Sequence, residues 1–237
     1  MLNVIDIEDY PPGIAGWFAA VAAPAKVPFG MIRMRSAIGS SVLKILANVA
    51  VVVALALLAY ACLQRYDRSG SLNWLGLLVV NVLMVAMYVA RRDATAISRS
   101  AALWVLAFAG TCLPLAMRPA EIVGFAALGT GIQLFGIGGI IASMLSLRRS
   151  FGIVPANRGI RTRGLYNFVR HPLYASELLV ILGIALVNPS AWNLGLFVCD
   201  CVLQLLRAAA EERFLSVDPA YREYRARVKY RLIPIII

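Results

Sequence analysis

Hydrophobic residues run continuously along this chain, and polar loops separate the runs. The runs cover residues 42–63, 72–90, 101–117, 122–147, 173–187 and 191–210. Continuous runs approaching 20 residues predict membrane-spanning helices, because the strands of a membrane barrel alternate apolar and polar positions. Asn188-Pro189-Ser190 separates the last two runs, and a proline ends a helix. We therefore predict an all-α polytopic integral membrane protein with five or six membrane segments. The last two would form a helical hairpin, whose short first arm would not fully cross the bilayer in the five-segment case.

Composition agrees with this class of protein. Hydrophobic residues make up 61% of the 237 positions, against about 45–50% in a soluble domain, and the mean hydropathy is +0.78. Ahead of the first run, residues 11–29 contain Trp17 and Phe18 and predict an interfacial helix. The four cysteines lie in apolar runs without metal-binding spacing, so we expect small apolar side chains and no metal site.

The net charge of +11 follows the membrane topology. Of the 23 basic residues, 20 lie at the two termini and in alternate loops, and only Arg65, Arg68 and Arg118 fall on the other side. The positive-inside rule predicts cytosolic termini, in the inner membrane if the cell is bacterial. The basic loops would face anionic lipid headgroups, and nucleic acid is not the expected partner.

The polar loop from Arg148 to His171 is the longest connection, and its glycines and proline predict irregular backbone. His171 precedes Pro172, which suits the first position of a helix. His171 and free backbone N–H groups would then lie at a helix N-terminus, where a carboxylate or phosphate binds well. Tyr174, one turn further on, would share the face of His171.

A polar stripe runs along the last apolar segment. Its members are Asn193, Asp200, Gln204, Arg207 and Glu211, which project onto one side of a helix at about 100° per residue. Exposure of this stripe to lipid would be costly, so we expect it to face protein or a hydrated cavity. Arg207 and Glu211 are spaced to form an i, i+4 ion pair. Glu212 would point toward solvent.

These residues carry a family resemblance. The elements are Gly164-x-Tyr166, Arg170-His171-Pro172-x-Tyr174, Asn188-Pro189, Arg207-x-x-x-Glu211-Glu212 and Tyr221-x-x-Tyr224-x-x-Arg227-Val228. In this order and spacing the chain resembles isoprenylcysteine carboxyl methyltransferases and the related phospholipid methyltransferases over residues 148–234. The resemblance divides the chain into an N-terminal part, 1–147, with four transmembrane helices, and a catalytic region, 148–237. That region would hold the cofactor loop, the hairpin and a basic tail.

The resemblance implies S-adenosylmethionine as methyl donor, bound on the cytosolic side. The residues that would surround the donor are Arg158, Gly159, Ile160, Arg161, Tyr166, His171, Pro172, Leu173, Tyr174 and Glu211. Arg207 would be the catalytic residue facing a lipophilic or prenylated acceptor. A guanidinium would hold an anion and repel an ammonium, and His171, the single histidine, is already assigned to the donor. We therefore expect the acceptor to present a carboxylate.

Two positions depart from the family pattern. Ser176 stands where the family has a glycine, which would either narrow the approach to the cofactor or mark a subfamily. Glu177 stands where an apolar residue is expected. The open alternatives are a phospholipid N-methyltransferase, an NADPH-dependent reductase of the sterol type, a non-enzymatic membrane protein and a transporter. The reductases resembling this layout carry asparagine before the tyrosine, where this chain has Leu173.

Overall fold

The computed structural model describes residues 38–98, 100–118 and 125–233. Seven helices lie in these ranges: α1 (Ile38–Ser69), α2 (Leu72–Ala90), α3 (Ala101–Cys112), α4 (Ala126–Leu147), α5 (Pro172–Val187), α6 (Ala191–Leu215) and α7 (Pro219–Arg227). Short 3₁₀ turns follow α3 and α4, and another covers Gly164–Asn167. Two strands of two residues each, β1 (Ala96–Ile97) and β2 (Ala156–Asn157), pair antiparallel. The predicted helical class is confirmed, whereas the predicted interfacial helix at residues 11–29 lies outside the described residues.

Within the part of the chain that the structure describes, four stretches are long and apolar enough to cross a membrane: Asn48–Ser69, Leu72–Ala90, Ala126–Ser150 and Ala191–Leu215. Two shorter apolar helices, Ala102–Ala116 and Pro172–Val187, accompany them. The break between α5 and α6 falls at residues 188–190, where the sequence predicted it. Helix α6 continues beyond the predicted residue 210 to Leu215, and Glu212 and Phe214 of its last turns are buried in the protein.

Helices α4 and α5 pack closely because glycines line their contact. A Cβ added at Gly129 would lie 2.7 Å from the carbonyl oxygen of Gly183, and one at Gly136 would lie 2.9 Å from that of Ser176. Small residues at such positions let two backbones approach in a membrane. This contact fixes the start of α5, which carries the His171–Tyr174 motif.

The basic loops meet at one end of the helices. Strand β1, in the loop after α2, pairs with β2, in the loop after α4. Asn157 donates a hydrogen bond of 2.8 Å from Nδ2 to Asp218, the N-cap residue of α7. At the opposite end, Asn193 donates a hydrogen bond of 2.8 Å to the backbone oxygen of Arg118. The basic loops after α2 and α4, which the charge distribution assigned to the same side of the membrane, are therefore adjacent in space.

Candidate active site

A cavity of about 110 Å³ opens where the basic loops meet the helices. The loop 150–161, the start of α5, the last turns of α6 and helix α7 form most of its walls, and Met84 of α2 and Thr111 of α3 also line it. Ten of the eleven residues predicted from the sequence line it: Arg158, Gly159, Ile160, Arg161, Tyr166, His171, Leu173, Tyr174, Arg207 and Glu211. Pro172 does not line the cavity. It is buried as the first residue of α5 and starts the helix.

The rings of His171 and Tyr174 lie on the same face, as predicted, and they stack. Their centroids lie 5.4 Å apart and their planes differ by 3°. His171 occupies the N-cap position of α5, and its side chain does not cap the helix. The first N–H groups of α5 therefore lack a side-chain cap among the described residues, and uncapped N–H groups at a helix start suit a bound anion.

Glu211 is held at the cavity by Tyr174. The phenol of Tyr174 donates a hydrogen bond of 2.8 Å to Glu211 Oε2, and Nδ1 of His171 lies 3.8 Å from the same oxygen. The side chain of Glu211 keeps 30% of its surface exposed. One carboxylate oxygen is thus fixed while the group stays accessible to a ligand.

Glu212 is buried, contrary to the prediction that it points to solvent, and it keeps only 2% of its surface exposed. Its carboxylate accepts hydrogen bonds from Nε of Arg170 at 2.7 Å, Nε2 of His171 at 3.2 Å and Nε of Arg231 at 3.1 Å. The chain after α7 causes this burial because it returns to the start of α5. The N–H groups of Arg170 and His171 donate to the carbonyl oxygens of Tyr230 and Arg231. The helical spacing was correct, but the side of α6 on which Glu212 lies is covered by the C-terminal segment.

Arg207 does not form the predicted ion pair with Glu211. Its NH1 donates a hydrogen bond of 3.0 Å to Oε1 of Gln204. The same nitrogen lies 3.8 Å from Oε2 of Glu177, which is the ion-pair partner of Arg207 among the described residues. The guanidinium carbon lies 4.6 Å from the centroid of the Tyr174 ring. Tyr174 thus interacts with both residues of the predicted pair, through its hydroxyl with Glu211 and through its ring face with Arg207.

The polar stripe of α6 faces protein, as predicted. Asn193, Asp200 and Gln204 are fully buried, and Arg207 keeps 7% of its surface exposed. Asn193 donates from Nδ2 to two backbone carbonyls and accepts from the N–H of Arg118. Neither carboxylate oxygen of Asp200 has a hydrogen-bond partner among the described residues.

The loop 150–161 has the irregular backbone predicted from its composition. Gly159 has φ +94°, in the left-handed region that glycine adopts without strain. Arg158 donates from NH1 to the backbone oxygen of Arg92, while its Nε is buried without a partner among the described residues. Burial, together with the charge of Arg91, lowers the pKa of the Arg158 guanidinium. A desolvated cation of this kind is stabilised by a bound anion.

Three tyrosines close the other side of the cavity: Tyr166, Tyr221 and Tyr224. Burial raises the pKa of all three phenols, so they remain neutral donors. Tyr224 donates a hydrogen bond of 2.8 Å to the backbone oxygen of Tyr166. The hydroxyl of Tyr221 is buried and has no partner in the described part of the chain, so it is available to a ligand.

Sequence reasoning missed several residues of this cavity. Tyr221 was part of the motif but was not assigned to the site. Glu177 was noted only as a departure, although a lone carboxylate in an apolar helix is itself a signal of function. The structure places Oε2 of Glu177 3.8 Å from NH1 of Arg207. Met84 and Thr111 belong to helices without a motif, and no pattern could have selected them.

Ser176 does not narrow the cavity. Its side chain is buried against α4, where a Cβ on Gly139 would meet the Ser176 hydroxyl, and the hydroxyl donates a hydrogen bond of 2.7 Å to the carbonyl of Pro172. The serine at this position, where the family has a glycine, therefore affects the packing of α5 against α4 and not the cavity wall.

Comparison with known proteins gives one family. Residues 125–221 match the family model described as phospholipid methyltransferase, and no curated protein matches the chain. The matched region contains the loop, helices α5 and α6 and all eleven predicted site residues. Among the described residues, no cluster of three or more His, Cys, Asp or Glu is arranged to hold a metal ion. The match indicates a membrane methyltransferase. The resemblance seen in the motifs is thereby confirmed for residues 125–221, which match the phospholipid methyltransferase family, the family that includes the isoprenylcysteine carboxyl methyltransferases.

Proposed function

We propose that this protein is an S-adenosylmethionine-dependent methyltransferase of the membrane that acts on a lipophilic acceptor presenting a carboxylate. The observation that carries the proposal is a cavity that joins the loop 158–161, the His171–Tyr174 motif and the Arg207–Glu211 turn. Those segments are distant in sequence, and the family match spans all of them.

The side chains around the cavity fit such a donor. Its carboxylate suits the N-terminus of α5 and the guanidinium of Arg158, whose Nε is buried without a partner among the described residues. Its ammonium or ribose hydroxyls suit Glu211, which Tyr174 fixes through one oxygen. The free hydroxyl of Tyr221 supplies one more donor. Ile160 and Leu173 give the cavity apolar walls.

Bound S-adenosylmethionine would supply a methyl group on a sulfonium. The acceptor oxygen would attack the methyl carbon in line, and the C–S bond would break to leave the neutral thioether S-adenosylhomocysteine. The chain's own contribution would be positioning and the exclusion of water. Arg207, supported on the face of Tyr174, would hold the acceptor carboxylate with N–H groups that Gln204 does not use. A carboxylate is already ionised, so no side chain has to remove a proton.

The proposal includes the membrane arrangement. Both termini would lie in the cytosol, and α3 and α5 would be membrane segments in addition to the four longer stretches. The donor would enter from the cytosol, and the acceptor would enter from the bilayer. The positive-inside distribution supports this orientation.

A phospholipid N-methyltransferase is the second candidate, because the matched family carries that description. Glu177 favours it as well, since a carboxylate beside Arg207 could accept the proton that an amine must lose.

Product analysis tests the proposal. Membranes containing the protein would be incubated with isotope-labelled S-adenosylmethionine, and the lipid extract and prenylated peptides would be examined by mass spectrometry. We expect a labelled methyl ester that mild base removes. A base-stable N-methyl lipid would establish the second candidate, and the absence of any labelled product would contradict both.

The pH dependence of the rate separates the two acceptors. Carboxylic acids ionise near pH 4, so the rate with a carboxylate should be nearly flat between about pH 6.5 and 8.5. A rate that climbs about tenfold per pH unit in this window would indicate an amine or thiol.

A further inference from the structure

Glu177 is a carboxylate that the sequence pattern leaves unexplained. It lies in the second turn of α5, whose sequence is otherwise free of charge, and it faces the cavity. Its side chain keeps 28% of its surface exposed, so it is accessible from the cavity. A charged group in an apolar helix is costly to retain unless it has a partner and a purpose.

The partners of Glu177 are both on α6. Its Oε2 accepts a hydrogen bond of 3.0 Å from Nε2 of Gln204 and lies 3.8 Å from NH1 of Arg207. Gln204 in turn accepts from Arg207 at 3.0 Å. The amide of Gln204 therefore bridges the two charged groups, and the direct contact between them is an ion pair that is too long to be a hydrogen bond.

Acidic side chains near Arg207 offset part of the positive charge that an anionic ligand would meet there. The carboxylates of Glu177, Glu211 and Asp200 all act on this guanidinium. Glu211 is engaged by the hydroxyl of Tyr174, and Asp200 lies about two helical turns away along α6. Glu177 is the carboxylate in ion-pair contact, and it neutralises the charge that an acceptor carboxylate would need.

We infer that Glu177 is a specificity-determining residue of the acceptor site, the built-in counter-ion of Arg207 that an anionic acceptor has to displace. This inference rests on the proposed function, because it assigns the acceptor to Arg207. The loose ion pair suits displacement, since Gln204 keeps its hydrogen bond to Arg207 while the carboxylate partner changes. Glu177 would weaken binding of carboxylate acceptors and favour those whose lipid part supplies enough additional binding.

Binding of two matched probes tests this inference without any methyl transfer. The probes are S-farnesyl-N-acetylcysteine and its neutral methyl ester, titrated by calorimetry into the purified full-length protein and into Glu177→Gln. The variant keeps an oxygen that can accept from Gln204 and removes the charge. We expect the acid to bind about fivefold or more tightly to the variant, because a like charge near the binding position is lost. The ester should change less than twofold.

Glu223→Gln is the matched control, because Glu223 is an exposed residue of α7 outside the cavity walls. It should leave both affinities unchanged. Glu177→Met, which removes the same charge from a side chain of similar length, should reproduce the effect if the glutamine variant folds poorly.

Unchanged or weaker binding of the acid to both Glu177 variants would overturn the inference, as would equal tightening of acid and ester. If neither probe binds the wild-type protein, Arg207 is not an acceptor site of this kind and the inference also fails. Donor binding is measured separately. A protein that shows the expected probe pattern but does not bind S-adenosylmethionine would refute the proposed function and leave the role of Glu177 standing.

Discussion

Tyr174 at the start of α5 and Glu211 near the end of α6 are joined by a hydrogen bond of 2.8 Å from the phenol to Oε2. The same tyrosine ring carries the guanidinium of Arg207 on its face. The contact therefore links the group proposed to bind the donor with the group proposed to bind the acceptor. Removal of the phenol oxygen of Tyr174 should therefore affect the donor group and leave the acceptor group in place.

Tyr174→Phe should weaken donor binding by about tenfold, because it removes a hydrogen bond to a charged group while the ring face stays in place. Affinity for the acceptor should change much less. Calorimetric titration with S-adenosylmethionine measures the first effect, and the KM for the acceptor measures the second. Tyr230→Phe, outside the cavity walls, is the control. An unchanged donor affinity would show that Glu211 does not depend on this bond.

Glu212→Gln should destabilise the protein by about 3–5 kcal/mol, because one carboxylate accepts from Arg170, His171 and Arg231 in a buried position. The C-terminal segment should also detach from the start of α5, so donor binding should fall. Thermal melting in detergent and protease sensitivity of the C-terminal segment measure these effects, with Glu223→Gln as the exposed control. A melting temperature equal to that of the control would contradict the role assigned to Glu212.

The comparison of Glu211 with Glu212 shows what the sequence could and could not predict. Helical spacing correctly placed Asn193, Asp200, Gln204 and Arg207 inside the protein. It could not place Glu212, because burial there depends on residues 228–231 returning to the start of α5. Local periodicity carries no information about which distant segment covers a given side of a helix.

The same reasoning explains the rest of the site. Family spacing selected eleven residues, and ten of them line one cavity. Their roles toward donor and acceptor stay predictions. The partner of Arg207 was not predictable, since Glu177 lies on another helix and i, i+4 spacing favoured Glu211. Met84 and Thr111 enter the cavity from helices whose sequences show only apolar character.

Gly110→Ala should weaken binding of the acceptor without weakening binding of the donor. A Cβ at Gly110 of α3 would lie 2.8 Å from Cδ of Arg207 and 3.0 Å from its NH1, so the guanidinium has to shift. We expect the KM for the acceptor to rise about tenfold or more, because a small displacement of a positioning group is costly. Donor affinity should stay within twofold of wild type. Gly138→Ala on α4, where a Cβ meets nothing within 4 Å, is the matched control. Equal loss of donor binding would indicate general misfolding.

Single cysteines should report the orientation of the protein. In a background without Cys62, Cys112, Cys199 and Cys201, cysteines replace the exposed residues Asp93, Glu223 and Ser69. Asp93 lies in the basic loop and Glu223 in the helix that meet near the cavity. A membrane-impermeant maleimide should therefore label the cysteines at these two positions only from the cytosolic side. Ser69 should label only from the opposite side. Labelling of the cysteine at position 93 from outside the cell would place the donor site on the side of the membrane away from the cytosol, where S-adenosylmethionine is supplied.

Direct titration of the purified protein with S-adenosylmethionine, beside a parallel titration with NADPH, tests the central claim most directly. We predict saturable binding of S-adenosylmethionine to the wild-type protein and none of NADPH. His171→Ala and Glu211→Gln should each weaken donor binding by about 1–3 kcal/mol, the scale of a lost hydrogen bond to a charged group. Binding of NADPH, or binding of S-adenosylmethionine that neither substitution weakens, would contradict the account.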